Sequence, residues 1–598
     1  METTNNLLII FLLLVSNSFV TFSVTNKHPL ANIAIHKAVI DIQESSSITA
    51  YPIDFDDKRD DILWINVEVE SADPSEDDWV GVFSPAKFNG SDCYRESDLD
   101  MMNAPHICTA PIKYKFVSYP TPDYAPDYVK RRHGVLQFEI INQRADFSFA
   151  LFTGGVYSPK LISVSSPLSF KTPKAPLYPH LAQGKSWDQM AVTWTSGYSI
   201  DEAIPFVEYR SAGRGRNLSH AGTVTFSRSK LCGEPAVTFG WRDPGFIHTS
   251  FLNKLWPNTM YDYRMGHRLV NKSIVWSKRY RFKSSPNPGH DSLQRVIIFG
   301  DMGKGERDGS YDMYAYQPGS LMTTDRLEND LKNYDIVFHI GNLARARGYL
   351  SQWDQFTAQI QPIASTKPYM TASGSDEQDY FNSRSTYRIS DSGGECGVPA
   401  ETMFYVPAKH RAKSWYSTDY GMFHFCIADS NLDLSEGSEQ YAWIEKCFAS
   451  VDKQKQPWLI FAANHVPGHF IDGKDVLRGR YLDEPMLKLW HKYNVDIAFY
   501  GGDHNYERSC AVYENQCVSM ERDNYWGSKT GTIHVIVGGA GSQVYNNIGL
   551  DRDWLVYEDL IDFGFGKLTA FNHSLLLFEY IKSRDGLVYD SFTISRDY

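Results

Sequence analysis

The second half of the chain carries a series of short apolar runs that each end at a small residue followed by polar ones. Runs without polar alternation are typical of parallel strands covered on both faces. Helix-like segments lie between them, so the pattern predicts an α/β domain that begins near Leu293. Because the carboxyl ends of parallel strands meet at one edge of a sheet, their polar residues should share one site. The five strand ends are Gly300–Gly303, Gly341–Arg345, Gly374–Glu377, Ala463–His465 and Gly501–His504.

The first half of the chain contains two all-β regions. In residues 60–172, apolar and polar residues alternate in ILWINVEVE and VLQFEIIN, which is typical of strands with one buried face. We interpret this region as a β-sandwich. A linker with Pro173, Pro176 and Pro179 leads to a second region, residues 176–286, whose pattern resembles a fibronectin type III sandwich.

The N-terminus predicts export. Leu7–Val15 is an apolar run that is too short for a bilayer span of about 20 residues but fits the core of a signal peptide. Residues 1–24 are therefore interpreted as a signal peptide. Four Asn-x-Ser sequons agree with a secreted, extracellular glycoprotein. They begin at Asn89, Asn217, Asn271 and Asn572.

Charge and hydropathy argue against two classes of partner. The net charge of −12 and the pI of about 5.8 disfavour nucleic acid, because a polyanion binds to basic surfaces. After the leader, no stretch reaches 18 uninterrupted apolar residues. We therefore expect no membrane partner for the mature chain.

The chain has eight cysteines and no Cys-x-x-Cys pair, which disfavours a zinc ribbon or a thioredoxin-type site. An even count in a secreted chain permits disulfides. Cys510 and Cys517 are close enough for a local bridge, and Cys93 with Cys108 is a second candidate. Cys426 lies in the apolar run FHFCIA, so we predict a buried free thiol there.

Around the strand ends, the chain resembles a known family. The blocks GDMGKGERDGS, GYLSQWDQF and HNYER are similar to plant-type purple acid phosphatases of the large multidomain group, within the calcineurin-like metallophosphoesterases. The resemblance runs from about residue 60 to the C-terminus. It implies an α+β or α/β multidomain chain, in which the β-sandwiches precede a four-layer α/β/β/α metallophosphoesterase domain at residues 293–525 and a C-terminal segment at residues 526–598.

The resemblance also carries functional expectations. Active members hydrolyse small phosphate esters at a centre of iron plus zinc or manganese, and some relatives form homodimers. The destination would be the apoplast or cell wall, with the vacuole also open. Two of the family's seven metal-ligand positions keep their residue, Asp301 and His504. Five are substituted: Asn342 for the bridging Asp, Arg345 for Tyr, Ser375 for Asn, Asn464 for His and Gly502 for His.

These substitutions predict a weak or absent metal centre and loss of phosphatase activity. Asn342 has no charge, and Arg345 replaces an anionic ligand with a permanent cation that repels a metal ion. The family's catalytic His position is occupied by Asp376. Without the tyrosinate we also expect no purple colour. In place of the metal, Arg345 should lie near Asp301, because a buried carboxylate needs a positive partner. The competing expectations are that Arg345 extends into solvent, or that Asp301 and His504 persist only as a hydrogen-bonded pair.

Two alternatives remain at this point. A rebuilt metal site could use residues beside the lost ligands, although a one-residue slip along a strand points a side chain to the opposite face. Its candidates are Asp376, His465, His469 and Asp503. The second alternative is a binding protein that recognises an anion through Arg345 and Arg347 in the old cleft. Whether the chain is an enzyme is therefore left open by its sequence.

Overall fold

The computed structural model describes most of the chain beyond the leader. The described residues are 39–53, 61–87, 107, 109–118, 128–156, 158–311, 317, 319–378, 392–410, 413–467, 470–471, 474–475, 484–519, 521–526, 531–544, 550, 553–559 and 561–597. The interpreted signal peptide and Asn89 lie outside them.

The N-terminal region folds into two sheets that pack face to face. Its elements are β1 (Val39–Ile40), β2 (Ser47–Pro52), β3 (Ile62–Glu70), β4 (Trp79–Phe83), β5 (Lys113–Phe116), α1 (Tyr128–Arg131), β6 (His133–Ile141), β7 (Ser148–Thr153) and β8 (Lys160–Val164). One sheet has the order β1-β8-β7-β4-β5 and the other β2-β3-β6. Val67, Phe138 and Phe149 are fully buried because alternate residues of each strand face the opposite sheet. The predicted sandwich is confirmed.

The second region is also a sandwich. Its elements are β9 (Leu177–Gln183), β10 (Met190–Ser196), β11 (Ala203–Ser211), β12 (Asn217–Val224), a 3₁₀ turn (Arg228–Lys230), β13 (Phe246–Leu252), β14 (Met260–Leu269), β15 (Ile274–Trp276) and β16 (Tyr280–Lys283). The strand order is β15-β14-β11-β12-β13-β10-β9, and β16 pairs with β14. Trp194 of β10 and Val207 of β11 are fully buried in one apolar core cluster of this region.

The third region contains two mixed sheets. Its strands are β17 (Gln294–Phe299), β18 (Ile336–Ile340), β19 (Tyr369–Ala372), β20 (Tyr416–Tyr420), β21 (Phe423–Ile427), β22 (Trp458–Ala463), β23 (Phe470–Ile471), β24 (Lys474–Asp475), β25 (Ile497–Tyr500), β26 (Tyr506–Tyr513), β27 (Gln516–Ser519), β28 (Asn524–Trp526), β29 (Thr532–Val537), β30 (Leu555–Asp559), β31 (Gly564–Asn572), β32 (Leu575–Lys582) and β33 (Val588–Ser595). One sheet has the order β19-β18-β17-β31-β32-β33-β28 and the other β20-β21-β22-β25-β29-β26-β27, with β30 on β26. A hairpin joins β23 to β24.

Helices cover the outer faces of both sheets. They are α2 (Ser320–Asn329), α3 (Ser351–Ala364), α4 (Val398–Met403), α5 (Glu439–Ala449) and α6 (Glu484–Tyr493), with 3₁₀ turns at Leu331–Asn333 and Ser375–Glu377. Phe356 of α3 packs with β17 and β18 in one apolar cluster, and Phe448 of α5 packs with β22 and β25 in another. Phe338 and Phe425 meet between the two sheets. The four-layer α/β/β/α arrangement is therefore confirmed.

The start of α2 differs from the sequence-based expectation. In the run TTDRLENDLKN the sequence indicates Thr324 as an N-cap, but the helix begins at Ser320 and Thr324 lies inside it. Its hydroxyl donates to the Ser320 carbonyl, 2.9 Å away, which is a bond a mid-helix threonine can make. Among the described residues, no helix combines the length and apolar character needed to cross a membrane.

A buried charge cluster joins the N-terminal sandwich to the segment that follows β17. The Lys113 ammonium group lies 2.8 Å from Glu306 and 2.9 Å from Asp308. The backbone N–H of Glu139 donates to Asp308 at 2.9 Å. These contacts fix the segment a few residues beyond Asp301, so the N-terminal domain supports one edge of the strand-end site.

Two local disulfides join residues of the second sheet and its helix layer. Cys510 and Cys517 are bridged across β26 and β27, which confirms that prediction. The free thiol predicted at Cys426 is wrong, because Cys426 is bridged to Cys447 of α5. An apolar run indicates burial but not what packs against it, and here a helix brings the second sulfur.

A third disulfide links distant parts of the sequence. Cys232 of the second sandwich is bonded to Cys396, which precedes α4, at a sequence separation of 164 and with 5.9 Å between their Cα atoms. Spacing alone gave no reason to pair them. Cys93 and Cys108 lie outside the described residues, so their predicted bridge stays a prediction.

Candidate functional site

The polar residues at the five strand ends converge between the two sheets. Asp301, Asn342 and Ser375 follow β17, β18 and β19 of the first sheet, while Asn464 and Gly502 follow β22 and β25 of the second. The Asn342 side chain donates to Asp301 Oδ1 at 2.7 Å. The parallel strands therefore bring these positions together as their order predicted.

The loops that carry the site have a left-handed backbone at non-glycine residues. The φ angles are 58° at Asp301, 54° at Asn342, 52° at Arg345 and 48° at Arg347. An L-residue in this region costs about 1–2 kcal/mol relative to ordinary conformations, and asparagine tolerates it best. The surrounding fold must hold these residues in place, which is common at functional sites.

Glu377 organises the backbone of two of these loops. Its carboxylate accepts the backbone N–H groups of Asn342 at 2.9 Å, Leu343 at 2.7 Å and Gly374 at 2.8 Å. Burial and the neighbouring charge of Asp376 raise the pKa of Glu377 to about 8, while the N–H donors oppose that rise. Glu377 is part of the strand end Gly374–Glu377, but nothing in the sequence indicated that it positions the backbone of neighbouring loops.

Asp301 is fully buried and surrounded by polar partners. Its Oδ1 lies 2.9 Å from His504 Nε2 and 3.6 Å from an Arg345 terminal nitrogen. The expected proximity of Arg345 and Asp301 is confirmed, and Asp301 also contacts His504. Among the described residues, no hydrogen-bond donor reaches Asp301 Oδ2. Partners of Asp301 thus gather on one oxygen.

The Arg345 guanidinium lies between the two retained ligand positions. Its Nε is 2.8 Å from Asp376 Oδ2, and its terminal nitrogen is 3.0 Å from His504 Nε2. The same nitrogen donates to the hydroxyl of Ser542, a contact that no sequence signal indicated. Only 9% of the Arg345 side chain is exposed, so the alternative of a solvent-extended arginine is wrong.

Asp376 pairs with two guanidinium groups. Arg347 Nε donates to Asp376 Oδ1 at 3.2 Å. The backbone N–H of Asp376 donates to Asn342 Oδ1 at 2.9 Å. Burial alone would raise the pKa of Asp376, but Arg345 and Arg347 outweigh it and hold that pKa below its usual value. With Asp301, the cluster holds two carboxylates and two guanidiniums. This balance removes the net positive charge that an anion site would need.

The two ligand positions on the second sheet, 464 and 502, no longer carry histidines. Asn464 is buried, and its amide donates to the Ile340 carbonyl at 3.0 Å. A Cβ on Gly502 would lie 2.1 Å from Cε1 of His465. The imidazole of His465 thus occupies the space beside Gly502. The rule that a one-residue slip reverses the direction of a side chain applies within a strand, and His465 lies in a loop beyond β22.

Those residues considered for a rebuilt metal site that the structure describes do not assemble into one. Asp376 joins the arginine cluster, Asp503 is half-buried, and His469 lies outside the described residues. In the described part of the chain, one group of three potential ligands has its donor atoms within 4.8 Å of one another. That group is His424, Cys426 and Cys447, on β21 and α5.

The residues at the strand ends do not fit a dinuclear metal centre. A guanidinium carries a permanent positive charge and has no lone pair to offer a metal. The Arg345 guanidinium lies 3.6 Å from Asp301 and 3.0 Å from His504. The amide of Asn464 is directed to a backbone carbonyl, and position 502 has no side chain. No catalytic step through a metal is therefore derived for this chain.

Three of the four sequons are exposed. Asn217, Asn271 and Asn572 all lie at the surface, and Asn271 and Asn572 each accept a hydrogen bond from a nearby backbone N–H. These positions are accessible to a glycosyltransferase. Asn89 lies outside the described residues.

Family models match three stretches of the chain. Residues 48–172 match an Fn3-like domain from purple acid phosphatase, and residues 176–284 match the purple acid phosphatase N-terminal domain. Residues 531–591 match the C-terminal region of iron/zinc purple acid phosphatase-like proteins.

Known proteins resemble the chain over nearly its full length. A purple acid phosphatase from yellow lupin seeds has a solved structure with a TM-score of 0.86 and 54% identity, covering 93% of this chain and 97% of that one. "Probable inactive purple acid phosphatase 27" of Arabidopsis thaliana is 58% identical over 95% of this chain and 92% of its own length. A "Nucleotide pyrophosphatase/phosphodiesterase" of Hordeum vulgare is 56% identical over 54% of this chain and 89% of its own length. With this likeness and these strand-end loops, the chain belongs to the purple acid phosphatase family, and several of its relatives are named as probable inactive members.

Proposed function

We propose that this chain is a non-catalytic purple acid phosphatase homologue in which an arginine–carboxylate cluster replaces the dinuclear metal centre. The observation that carries the proposal is the position of Arg345, between Asp301 and His504 and paired with Asp376. Two carboxylates now face guanidinium groups: Asp301 stands at a metal-ligand position of the family, and Asp376 stands at the position of the family's catalytic His. The fold keeps its charge balance without a metal.

The loss of hydrolysis follows from the missing nucleophile. In the family's reaction, a metal centre lowers the pKa of bound water so that hydroxide forms at mild pH. The described residues of the strand-end cluster supply no substitute. Asp376 is held ionised by two arginines, so it is a poor acid for a leaving group. Catalysis of phosphate-ester hydrolysis would need a general acid and an activated water, and this cluster offers neither.

The relative from Hordeum vulgare supports a second candidate function. Its name describes hydrolysis of nucleotide pyrophosphates and phosphodiesters, and it is 56% identical over 330 residues. Activity on such substrates would require the metal centre to persist. A test of the proposed loss of activity therefore has to include phosphodiesters and nucleotide pyrophosphates beside simple phosphomonoesters.

The test is metal content together with hydrolysis. The full-length glycosylated chain is purified, incubated with iron, zinc and manganese salts, and dialysed. We expect substoichiometric metal by elemental analysis, a colourless protein, and no turnover above a metal-free blank with the three substrate classes. The barley relative, handled in parallel, is the positive control for the diester assay. Two tightly bound metals per chain, or turnover that chelation abolishes, would overturn the proposal.

We also propose that the protein is secreted into the extracellular space. Support comes from the leader-like N-terminus, from three exposed sequons and from disulfides, which persist in oxidising compartments. Treating the purified protein with an N-glycosidase should lower its mass at Asn217, Asn271 and Asn572. A chain that accumulates in the cytosol with free thiols at these cysteines would contradict this.

A further inference from the structure

A second cluster of chemically active side chains lies on the outer face of the second sheet. His424 and Cys426 are two residues apart on β21, so their side chains leave the same face. Asp419 of β20 is directly opposite His424 in the antiparallel register. Helix α5 packs over this face and contributes Cys447, which is bridged to Cys426.

The distances between these groups are short. His424 Nδ1 lies 2.6 Å from Asp419 Oδ1, and His424 Nε2 lies 3.5 Å from Cys447 Sγ. One ligand atom each from His424, Cys426 and Cys447 lies within 4.8 Å of the other two. The imidazole therefore presents one nitrogen to a carboxylate and the other to sulfur.

The nitrogen–sulfur distance in this cluster matches that of a zinc site. Zinc binds thiolate sulfur at about 2.3 Å and imidazole nitrogen at about 2.0–2.1 Å in tetrahedral geometry, which places a nitrogen and a sulfur ligand about 3.5 Å apart. The observed separation of His424 Nε2 and Cys447 Sγ is 3.5 Å. A carboxylate on the other ring nitrogen is the usual partner of a zinc-bound histidine, because it fixes the ring and its tautomer.

The surroundings favour a neutral complex. Cys426 is fully buried and Cys447 nearly so, in an apolar cluster with Ile444 and Phe448. Two thiolates would balance the charge of one divalent ion, so the assembled site would bury no net charge in this apolar layer.

We propose that reduction of the Cys426–Cys447 bridge creates a binding site for one zinc ion, with Cys426, Cys447 and His424 as ligands and Asp419 as the residue that positions the imidazole. A dithiol reductant supplies two electrons and two protons, the S–S bond breaks, and the reductant becomes a disulfide. When zinc binds, each thiol releases its proton to solvent as a Zn–S bond forms. Disulfide and zinc thus compete for the same two sulfurs.

The site is independent of the strand-end cluster. Its residues come from β20, β21 and α5, and none of them occupies a ligand position of the family's dinuclear centre. Failure of the proposed function would therefore leave this inference intact, and the reverse also holds.

The first experiment measures zinc binding by the full chain before and after reduction. A trialkylphosphine opens disulfides without competing strongly for zinc, with water supplying two protons and the oxygen of the phosphine oxide. Peptide mapping after alkylation reports whether Cys426 and Cys447 are free. We expect about one zinc per reduced chain, none at this site in the oxidised chain, and a thiolate charge-transfer band when cobalt replaces zinc. A bridge that stays closed under native conditions, or an opened bridge without zinc, overturns the proposal.

Variants assign the ligands. His424→Gln removes the nitrogen ligand, and Asp419→Asn keeps the fold at a partly exposed position while weakening the imidazole's support. We expect at least a 10-fold weaker zinc affinity for each, since loss of such a supporting partner alone reduces affinity by about 10–100-fold. The double variant Cys510→Ser/Cys517→Ser removes the other local bridge and should bind zinc like the parent. Equal affinity in the parent and in both His424→Gln and Asp419→Asn would show that zinc binds elsewhere and would overturn the proposal.

Discussion

Two buried arginines in this protein are paired with aspartates in very different ways. Arg508 of β26 meets Asp590 of β33 within the body of the third region, while Arg345 meets Asp301 and Asp376 in the loops at the strand ends. Both side chains are shielded from solvent, at 0% and 9% exposure. The quality of their hydrogen bonding separates them.

The Arg508 pair is nearly ideal. Its Nε and a terminal nitrogen donate to the two oxygens of Asp590 at 2.6 and 3.0 Å, and its other terminal nitrogen donates to Tyr525 at 3.0 Å. Tyr506 donates to the same carboxylate at 2.5 Å. Burial opposes the charge of Arg508, but these partners raise its pKa above the usual value. Such a two-pronged pair is among the stronger polar contacts in proteins.

The Arg345 cluster is poorly matched by comparison. Its Nε is close to Asp376 but makes no hydrogen bond of acceptable angle. His504 Nε2 faces both the Asp301 carboxylate at 2.9 Å and the Arg345 guanidinium at 3.0 Å, and one ring nitrogen cannot serve as donor and acceptor together. The backbone of three of its members is left-handed. The contrast teaches that a replaced functional site keeps strained loops and unmatched polar atoms, whereas a structural pair does not.

The largest effect is expected for Arg508→Met. It leaves Asp590 buried and unpaired, which typically destabilises a protein by about 3–5 kcal/mol. The readout is the midpoint of unfolding of the third region by circular dichroism. As a matched control, Glu484→Gln breaks the exposed pair with Lys488 and should leave the midpoint unchanged. A parent-like midpoint for Arg508→Met would erase the distinction between the two clusters.

Arg345→Ala should destabilise less, by about 1–3 kcal/mol. Asp376 keeps Arg347, and Asp301 keeps His504 and Asn342, so neither carboxylate is left alone. The measurement is the same unfolding midpoint, with the more exposed Arg347→Ala as a comparison that should shift it less. A loss as large as that of Arg508→Met would mean that the cluster is as well formed as the structural pair.

The Arg345 contribution should be insensitive to mildly acidic pH. The pKa of Asp376 is below its usual value, so the stability that its ionised form provides is present above that value and is lost only as the pH falls through the lowered pKa. We expect the stability difference between the parent and Arg345→Ala to stay constant from about pH 7 to about pH 5. A difference that collapses within this range would indicate a protonated, weakly paired Asp376.

The smallest effect is expected for Asn342→Asp, which restores one ligand residue of the family but should not restore activity. The new carboxylate would face Asp301, whose oxygen is now 2.7 Å from the Asn342 amide, while Arg345 still occupies the cluster. We expect no phosphatase activity and no added metal, measured by hydrolysis and elemental analysis. Robust turnover from this single change would mean that the cluster is one step from a working centre, and the comparison with Arg508 would lose its meaning.

Much of the architecture could be predicted because its signals are local. The alternation in β3 and β6 indicated sandwich strands, and the apolar runs of β17 and β18 indicated a covered parallel sheet. The errors arose where distant segments meet. Cys426 has its partner on a helix, and Cys232 has its partner 164 residues away, and neither contact leaves a periodic trace in the sequence.

The site was predictable in its positions but not in its contacts. Motif spacing located Asp301, Asn342 and Arg345, and charge reasoning anticipated that Arg345 would approach Asp301. The roles of Glu377 and Ser542 were missed, because one acts through backbone N–H groups and the other comes from a loop after β29. The place of the His465 ring could not be predicted, because the alternation of side chains applies within a strand and fails in the loop that follows it.

The His465 ring beside Gly502 also limits how the metal ligands of this site could be restored. A histidine at position 502 would require the imidazole of His465 to shift, because its Cε1 lies 2.1 Å from the place of the new Cβ. Restoring this ligand therefore involves a second residue, and a substitution at position 502 alone would still leave four of the five substituted ligand positions unchanged.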